Sequence, residues 1–178
     1  MSTQEKVAVV TGGASGIGKS VAECYAQEGM AVVVADVVKD QAEGTADGIR
    51  KAGGKASAIR ADVSNPGDCE KMVKAALDQY GRLDVACNNA GIGGETNTTA
   101  DYSIDGWRKI IEVNLSGVFY CMKYEIAAKH GVIGLTQTAA VEYAPMGIRI
   151  NAMGPGFIST PMIQELEKDP TANQMLVS

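Results

Sequence analysis

The stretch Thr11-Gly-Gly-Ala-Ser-Gly-Ile-Gly18 places four glycines within eight residues, directly after the apolar run Val7–Val10. A loop of this kind lets backbone approach a pyrophosphate closely. The helix that follows offers free N–H groups and a partial positive charge to the same anion. The chemistry predicted is nucleotide binding, and two patterns share the residues. Gly12, Gly16 and Gly18 form GxxxGxG, a dinucleotide-type spacing. Gly13 to Ser20 (GASGIGKS) also fits GxxxxGK[ST], in which Lys19 would reach β- and γ-phosphates and Ser20 would hold Mg²⁺. Asp36 stands 18 residues after Gly18, at the end of the next apolar run. A dinucleotide fold puts there the acid that binds the adenosine ribose hydroxyls, so the spacing favours the first pattern.

Other chemistry-bearing residues are sparse. His130 is the single histidine, has no carboxylate nearby in sequence, and reads as a packing residue. Cys24, Cys69, Cys87 and Cys121 are widely spaced without a CxxC pair. They read as small buried hydrophobes of a reducing compartment, with no disulfide and no structural metal.

The elements that must position these residues alternate. Val21 to Gly29 continues the glycine loop at helical spacing. Met30–Ala35 is an apolar strand, Lys39–Ala52 a helix closed by Gly53-Gly54, and Ala56–Arg60 a strand ending near Asp62-Val63. Ser64 is the expected cap of a helix with Pro66 in its first turn, running to Gly81. Leu83–Cys87 is a fourth strand, and residues 92–101 form a polar loop. Strands apolar on both faces that alternate with helices predict a parallel sheet covered on both sides: an α/β, doubly wound, single domain over residues 1–178.

After residue 101 the alternation fails. From Trp107 to Tyr143 there are 37 residues without proline, with apolar positions at helical spacing. As one helix this run would be about 55 Å long, against strands of about 20 Å. Ile148–Met153 is the next strand, followed by Gly154-Pro155-Gly156. Two helices therefore follow one another where helix, strand and helix belong. The sequence predicts that residues are absent near 126/127, one internal strand with them. It predicts a broken bond there and an intact mass above 18.6 kDa. A final C-terminal strand is also absent after the charged helix expected at Met162–Lys168.

The balance of the chain fits this reading. Among 178 residues, 46% are hydrophobic and 21% charged, as in a globular domain. A net charge of −5 argues against nucleic acid or an anionic membrane as partner. The polar start MSTQEK and the lack of an 18-residue apolar run predict a cytoplasmic protein.

Six ordered motifs then carry a resemblance: Thr11–Gly18, Asp62-Val63, Asn88-Asn-Ala-Gly91, Asn114, Ala127-Ala-Lys-His-Gly-Val132, and Pro155-Gly156 with Thr160. In this order they resemble the short-chain dehydrogenase/reductase family. The resemblance implies a Rossmann domain, a nicotinamide cofactor, a small-molecule alcohol or ketone substrate, and a homotetramer or homodimer. It implies that Gly12, Ser15, Gly16, Ile17 and Gly18 cradle the pyrophosphate and that Asp36 takes the ribose. Asp62 and Val63 would flank the adenine, and Asn89, Ala90 and Gly91 would line the cofactor. Pro155, Gly156, Ile158 and Thr160 would hold the nicotinamide end. It implies catalytic roles for Lys129, which would also bind the nicotinamide ribose, and for Asn114. Asn88 would serve only to tie strands together. Asp36 as an anion, with Lys19 and Lys39 the only nearby cations, predicts NAD rather than NADP.

The family's catalytic Ser and Tyr have no match. Glu125 stands four residues before Lys129 where Tyr is expected, Tyr124 is on the wrong side of a helix, and no serine lies between Ser116 and Ser159. Read literally, Glu125 and Lys129 are an i,i+4 surface pair. Read as a gap, Ala127-Ala128-Lys129 is the remainder of a Tyr-x-Ala-Ala-Lys run. Three functions follow as expectations: NAD-dependent hydride transfer, nucleotide binding without catalysis, and a P-loop nucleotidase.

Overall fold

A computed structural model describes residues 6–130 and 149–152, with 129, 130 and 149–152 as backbone alone. Five strands form one parallel sheet in the order β3-β2-β1-β4-β5: β1 (Val7–Thr11), β2 (Ala31–Asp36), β3 (Lys55–Arg60), β4 (Val85–Asn88) and β5 (Arg149–Ala152). Sequence order reverses between β1 and β4, which opens a crevice beyond the carboxyl ends of the strands.

The valine-rich strands bury both faces, and their period of two sorts the core into two layers. Val7, Val9, Ala31, Val33 and Ala35 point to one side, against Cys69, Met72, Val73 and Ala76 of α3 (Pro66–Tyr80). Val10, Val32 and Val34 point to the other. There they meet Ala22 of α1 (Gly16–Gln27) and Ala42, Ala46 and Ile49 of α2 (Lys39–Lys51). Both faces of β1 and β2 are thus dry, and that is why these strands read as unbroken apolar runs.

Boundaries moved where side chains outcompete the ladder. Asn65, not Ser64, caps α3: its Oδ1 accepts from the N–H of Gly67 and of Asp68. The Ser64 hydroxyl instead donates to Asp62. The other end of α3 closes at Gly81 in the left-handed region, as its glycine predicts. β4 starts at Val85 rather than Leu83, because the Asp84 carboxylate accepts from Val7 N–H and pairs with Arg82.

The long run after residue 101 is a helical rod. α4 (Ile104–Ile111) passes through a π-helical turn, Glu112–Ser116, into α5 (Gly117–His130). Ile126 and Ala127 occupy consecutive positions of α5; residues 131–143 of the run lie outside the described set. Among the described strands the sheet shows no gap. β5 pairs directly with β4, Val85 opposite Arg149 and Asn88 opposite Ala152. The Arg149–Ala152 strand takes the place beside β4 that an inserted strand would fill.

Candidate functional site

The ends of β1 and β4 are wired together by one hydroxyl. Thr11 Oγ1 donates to the Cys87 carbonyl and accepts from the N–H groups of Asn89 and Ala90, at 3.0 Å each. The Asn89 amide donates back to the carbonyls of Thr11 and Gly12. Thr11 was not singled out from sequence. Its signal was its place, the last strand residue before the glycines.

The packing leaves no room for a side chain at Gly12 or Gly18. Gly12 has φ +64, and a Cβ there would stand 2.9 Å from Asn89 Nδ2. A Cβ on Gly18 would stand 2.1 Å from the Gly12 carbonyl oxygen. The glycines therefore set how closely α1 approaches β1 and β4. Ser15 is the N-cap residue of α1, but its side chain makes no cap bond, and the first turn carries no acid. No side-chain cap therefore satisfies the leading N–H groups of α1.

Asp36 ends β2 beside this loop. One oxygen accepts from Ala14 N–H at 3.1 Å and the other from Val38 N–H at 3.0 Å. Each oxygen keeps a lone pair for a diol. Asp62 is oriented by Ser64, whose N–H and hydroxyl both donate to its Oδ1. A cleft of about 800 Å³ joins these groups, with Gly12, Asp36, Asp62, Val63, Ala90 and Gly91 among its lining. Gly12, where a Cβ would clash, and the Asp36 carboxylate thus border one cleft.

The opposite wall is α4 and the π-turn, through Arg108, Lys109, Glu112 and Val113. Arg108 and Lys109 correct the expectation that Lys19 and Lys39 are the only cations near the site. Asn114 lies within the π-turn and holds the segment after β4: Ile92 N–H donates to its Oδ1, and its Nδ2 donates to the Ile92 carbonyl, both at 2.9 Å. A π-turn inserts an extra residue into the helix, and such turns recur at functional sites.

Several expectations fall elsewhere. Lys19 lies on the outer face of α1, 3.9 Å from Glu23, and Ser20 donates to the Gly16 carbonyl. Neither serves the loop as a P-loop requires. The literal surface reading of Glu125 is overturned: Glu125 is buried and bonded to Asn88, which therefore ties strand to helix as well as strand to strand. Tyr124 packs half-buried against the α3-side core. Cys69, Cys87 and Cys121 are buried as expected, but Cys24 is exposed. Lys129 is on α5 with its side chain outside the described set; Pro155, Gly156, Ile158 and Thr160 lie outside it altogether. Among the described residues there is no group of acids, cysteines or histidine that could hold a metal, and no helix long and apolar enough to cross a membrane.

With this geometry in place, comparison with known proteins is informative. The family model described as short chain dehydrogenase matches residues 6–126 and 124–171. Cyclohexanol dehydrogenase of Acinetobacter sp. (strain SE19) is 45% identical over 193 positions, covering 92% of this chain and 77% of that protein. Cis-4-hydroxycyclohexanecarboxylate dehydrogenase of Sinomonas cyclohexanicum is 36% identical, covering 94% and 79%. A solved actinorhodin polyketide ketoreductase with NADPH superposes with a TM-score of 0.79 at 32% identity, covering 94% of this chain and 77% of that one. Two details bear on the long helix. The family match divides into two pieces that meet at residues 124–126. The alignment to the Acinetobacter protein spans 193 positions although this chain has 178 residues, so that relative carries residues inside the matched region that this chain lacks.

Proposed function

The chain belongs to the short-chain dehydrogenase family, and from that premise we propose that it binds NAD(H) in the cleft between β1, β2, β4 and α4 and serves hydride transfer between that cofactor and a cyclic secondary alcohol or its ketone. The observation that carries the reading is the glycine loop, in which Gly12 and Gly18 approach Asn89 too closely for a side chain and Gly12 lines the cleft. The substrate class follows the names of the two curated relatives, both dehydrogenases of cyclohexane alcohols.

In this reading Gly12 and the residues Ser15 to Gly18 hold the pyrophosphate on N–H groups. Asp36 accepts from both ribose hydroxyls. Asp62, Val63 and Val113 enclose the adenine, and Asn89, Ala90 and Gly91 form the wall beyond it. Pro155, Gly156, Ile158 and Thr160 take the nicotinamide end. The cofactor supplies a hydride acceptor or donor. Lys129 grips the nicotinamide ribose and lowers the pKa of the proton-transferring hydroxyl by its charge. Asn114 fixes the segment beyond Gly91 from the cofactor's far side. Asp36 selects NAD, because a 2′-phosphate would meet its carboxylate. The family's usual homo-oligomer and a cytoplasmic location belong to the same reading.

A second reading has its own observation. α5 passes unbroken through 126–127 and β5 closes onto β4, so a chain without the intervening βα unit retains a continuous sheet but lacks the catalytic Ser and Tyr. It would bind nucleotide without turnover. One experiment separates the two. NADH and NADPH are titrated by fluorescence, cyclohexanol oxidation is followed with NAD⁺, and the intact mass is measured on the same sample. Tighter NADH binding with turnover supports the enzyme, and a mass above 18.6 kDa places the missing unit in the molecule. Binding without turnover at 18.6 kDa selects the second reading. Tighter NADPH binding overturns the NAD assignment, and no binding of either overturns both.

A further inference from the structure

Asn88, the last residue of β4, is 4% exposed, and Glu125 of α5 is 5% exposed. Asn88 Nδ2 donates to Glu125 Oε2 at 3.0 Å. Two atoms of this contact are left over. Asn88 Oδ1 and Glu125 Oε1 are buried with no hydrogen-bond partner. Each is an acceptor if the carboxylate is ionised, so neither can serve the other, and the cost of two unmet buried oxygens is substantial. A proton changes the chemistry. A carboxylic acid presents C=O and O–H side by side, and an amide presents N–H and C=O in the complementary order. Edge to edge they form two antiparallel hydrogen bonds. One of the two already exists; the other needs a proton on Oε1 directed at Oδ1.

We propose that Glu125 is a neutral carboxylic acid in a reciprocal acid–amide pair with Asn88, and that this pair positions Asn89 to Gly91 for cofactor binding. The second half of the proposal rests on the cofactor reading above. Asn88 directly precedes Asn89, Ala90 and Gly91, of which the last two line the cleft. Asn89 and Ala90 are already held on one side by Thr11. The pair with Glu125 holds the same turn from the opposite side, through α5. Glu125 is thus a positioning residue.

The surroundings favour the acid form. Burial pushes the Glu125 carboxyl up to about 7, and the Asn88 bond offsets only part of that. The titratable groups facing it are thiols: Cys87 on β4, Cys69 on α3 and Cys121 on its own helix. Asp68 of α3 bears on Cys69 rather than on Glu125. Glu112 of the π-turn is engaged by Tyr120. Lys129, one turn along α5, has its side chain outside the described set.

The test is NADH affinity of the full chain between about pH 5.5 and pH 8.5, with two variants. Wild type should lose about tenfold in affinity as pH rises through neutrality, because the ionised form opens the pair. Glu125→Gln keeps both bonds as an amide–amide pair and cannot ionise; its affinity should stay near the wild-type acid-side value and be flat with pH. Glu125→Leu should bind weakly throughout. A Gln variant with the wild-type pH slope, or a Leu variant with wild-type affinity, overturns the positioning role. The protonation state has a separate readout that needs neither variant nor cofactor: the ¹³C carboxyl titration of Glu125 in the wild-type chain. A midpoint above about 6 supports the acid form, and one in the ordinary carboxylate range, about 4.3, overturns it. If NADH binds at no pH, the cofactor reading and the positioning role fall together, and the carboxyl titration still decides the pair.

Discussion

Two regions beside the cleft are built in different ways. At Gly12–Asp36 nearly every contact involves main chain: Gly13 N–H on the Ala35 carbonyl, Ala14 and Val38 N–H on Asp36, and Asn89 on two carbonyls. At Asn88–Glu125 the contact is side chain to side chain, across 37 residues of sequence and inside the core. The first region tolerates no added atom, since its geometry is fixed by backbone. The second tolerates exchange of one polar group for another of the same shape, since its geometry is fixed by complementary edges. The difference lies between steric and chemical specification of local geometry.

The strongest way to break the comparison is Gly18→Ala. Its Cβ would lie 2.1 Å from the Gly12 carbonyl oxygen, a contact with backbone that cannot swing away. The expected outcome is a loss of about 3 kcal/mol or more in denaturant unfolding, with NADH binding abolished. A variant that folds and binds like wild type would show that the loop is not sterically specified.

The other region should answer to pH. Glu125 titrates at about 7 in the fold, above the ordinary value near 4.3 that it regains on unfolding. The folded state therefore holds the extra proton between these values, and its contribution is complete below about 4.3 and lost as pH rises to about 7. Unfolding free energy should fall by about 4 kcal/mol across that window and then level off. In Glu125→Gln that slope should vanish. Chemical denaturation at a series of pH values measures both.

Two smaller changes sharpen the contrast between site and scaffold. Asn65→Ala removes the side-chain cap of α3 and should cost about 1 kcal/mol of stability with NADH affinity unchanged. Lys19→Ala removes only a solvated i,i+4 pair and should cost at most about 0.5 kcal/mol, with no effect on NADH or ATP binding. A large loss of nucleotide affinity in the Lys19 variant would revive the P-loop assignment.

Legibility in the sequence followed the same division. The glycine loop, Asp36 and the alternating valine strands were readable because backbone geometry and two-face burial restrict residue type locally. Asn65 was missed for Ser64 because both are good caps one residue apart, and the Asp62 carboxylate decides between them. Thr11, Arg108 and Lys109 were missed because their roles depend on which strand end or helix lies opposite. Glu125 was misread because an i,i+4 Glu–Lys pattern is the ordinary mark of a wet surface, and its true partner sits on a strand. The place of β5 was not legible either: a strand pattern states that a strand forms, not which neighbour it takes.

That neighbour has a metric consequence. Adjacent strands lie about 4.8 Å apart, so the chain ends at Asn88 and Ala152 are separated by a single strand spacing. An inserted strand would set them about twice as far apart. Ala152 therefore lies one strand width nearer to Asn88 than it would in the wider sheet. Anything that bridges the ends of β4 and β5 in this sheet spans one strand spacing rather than two.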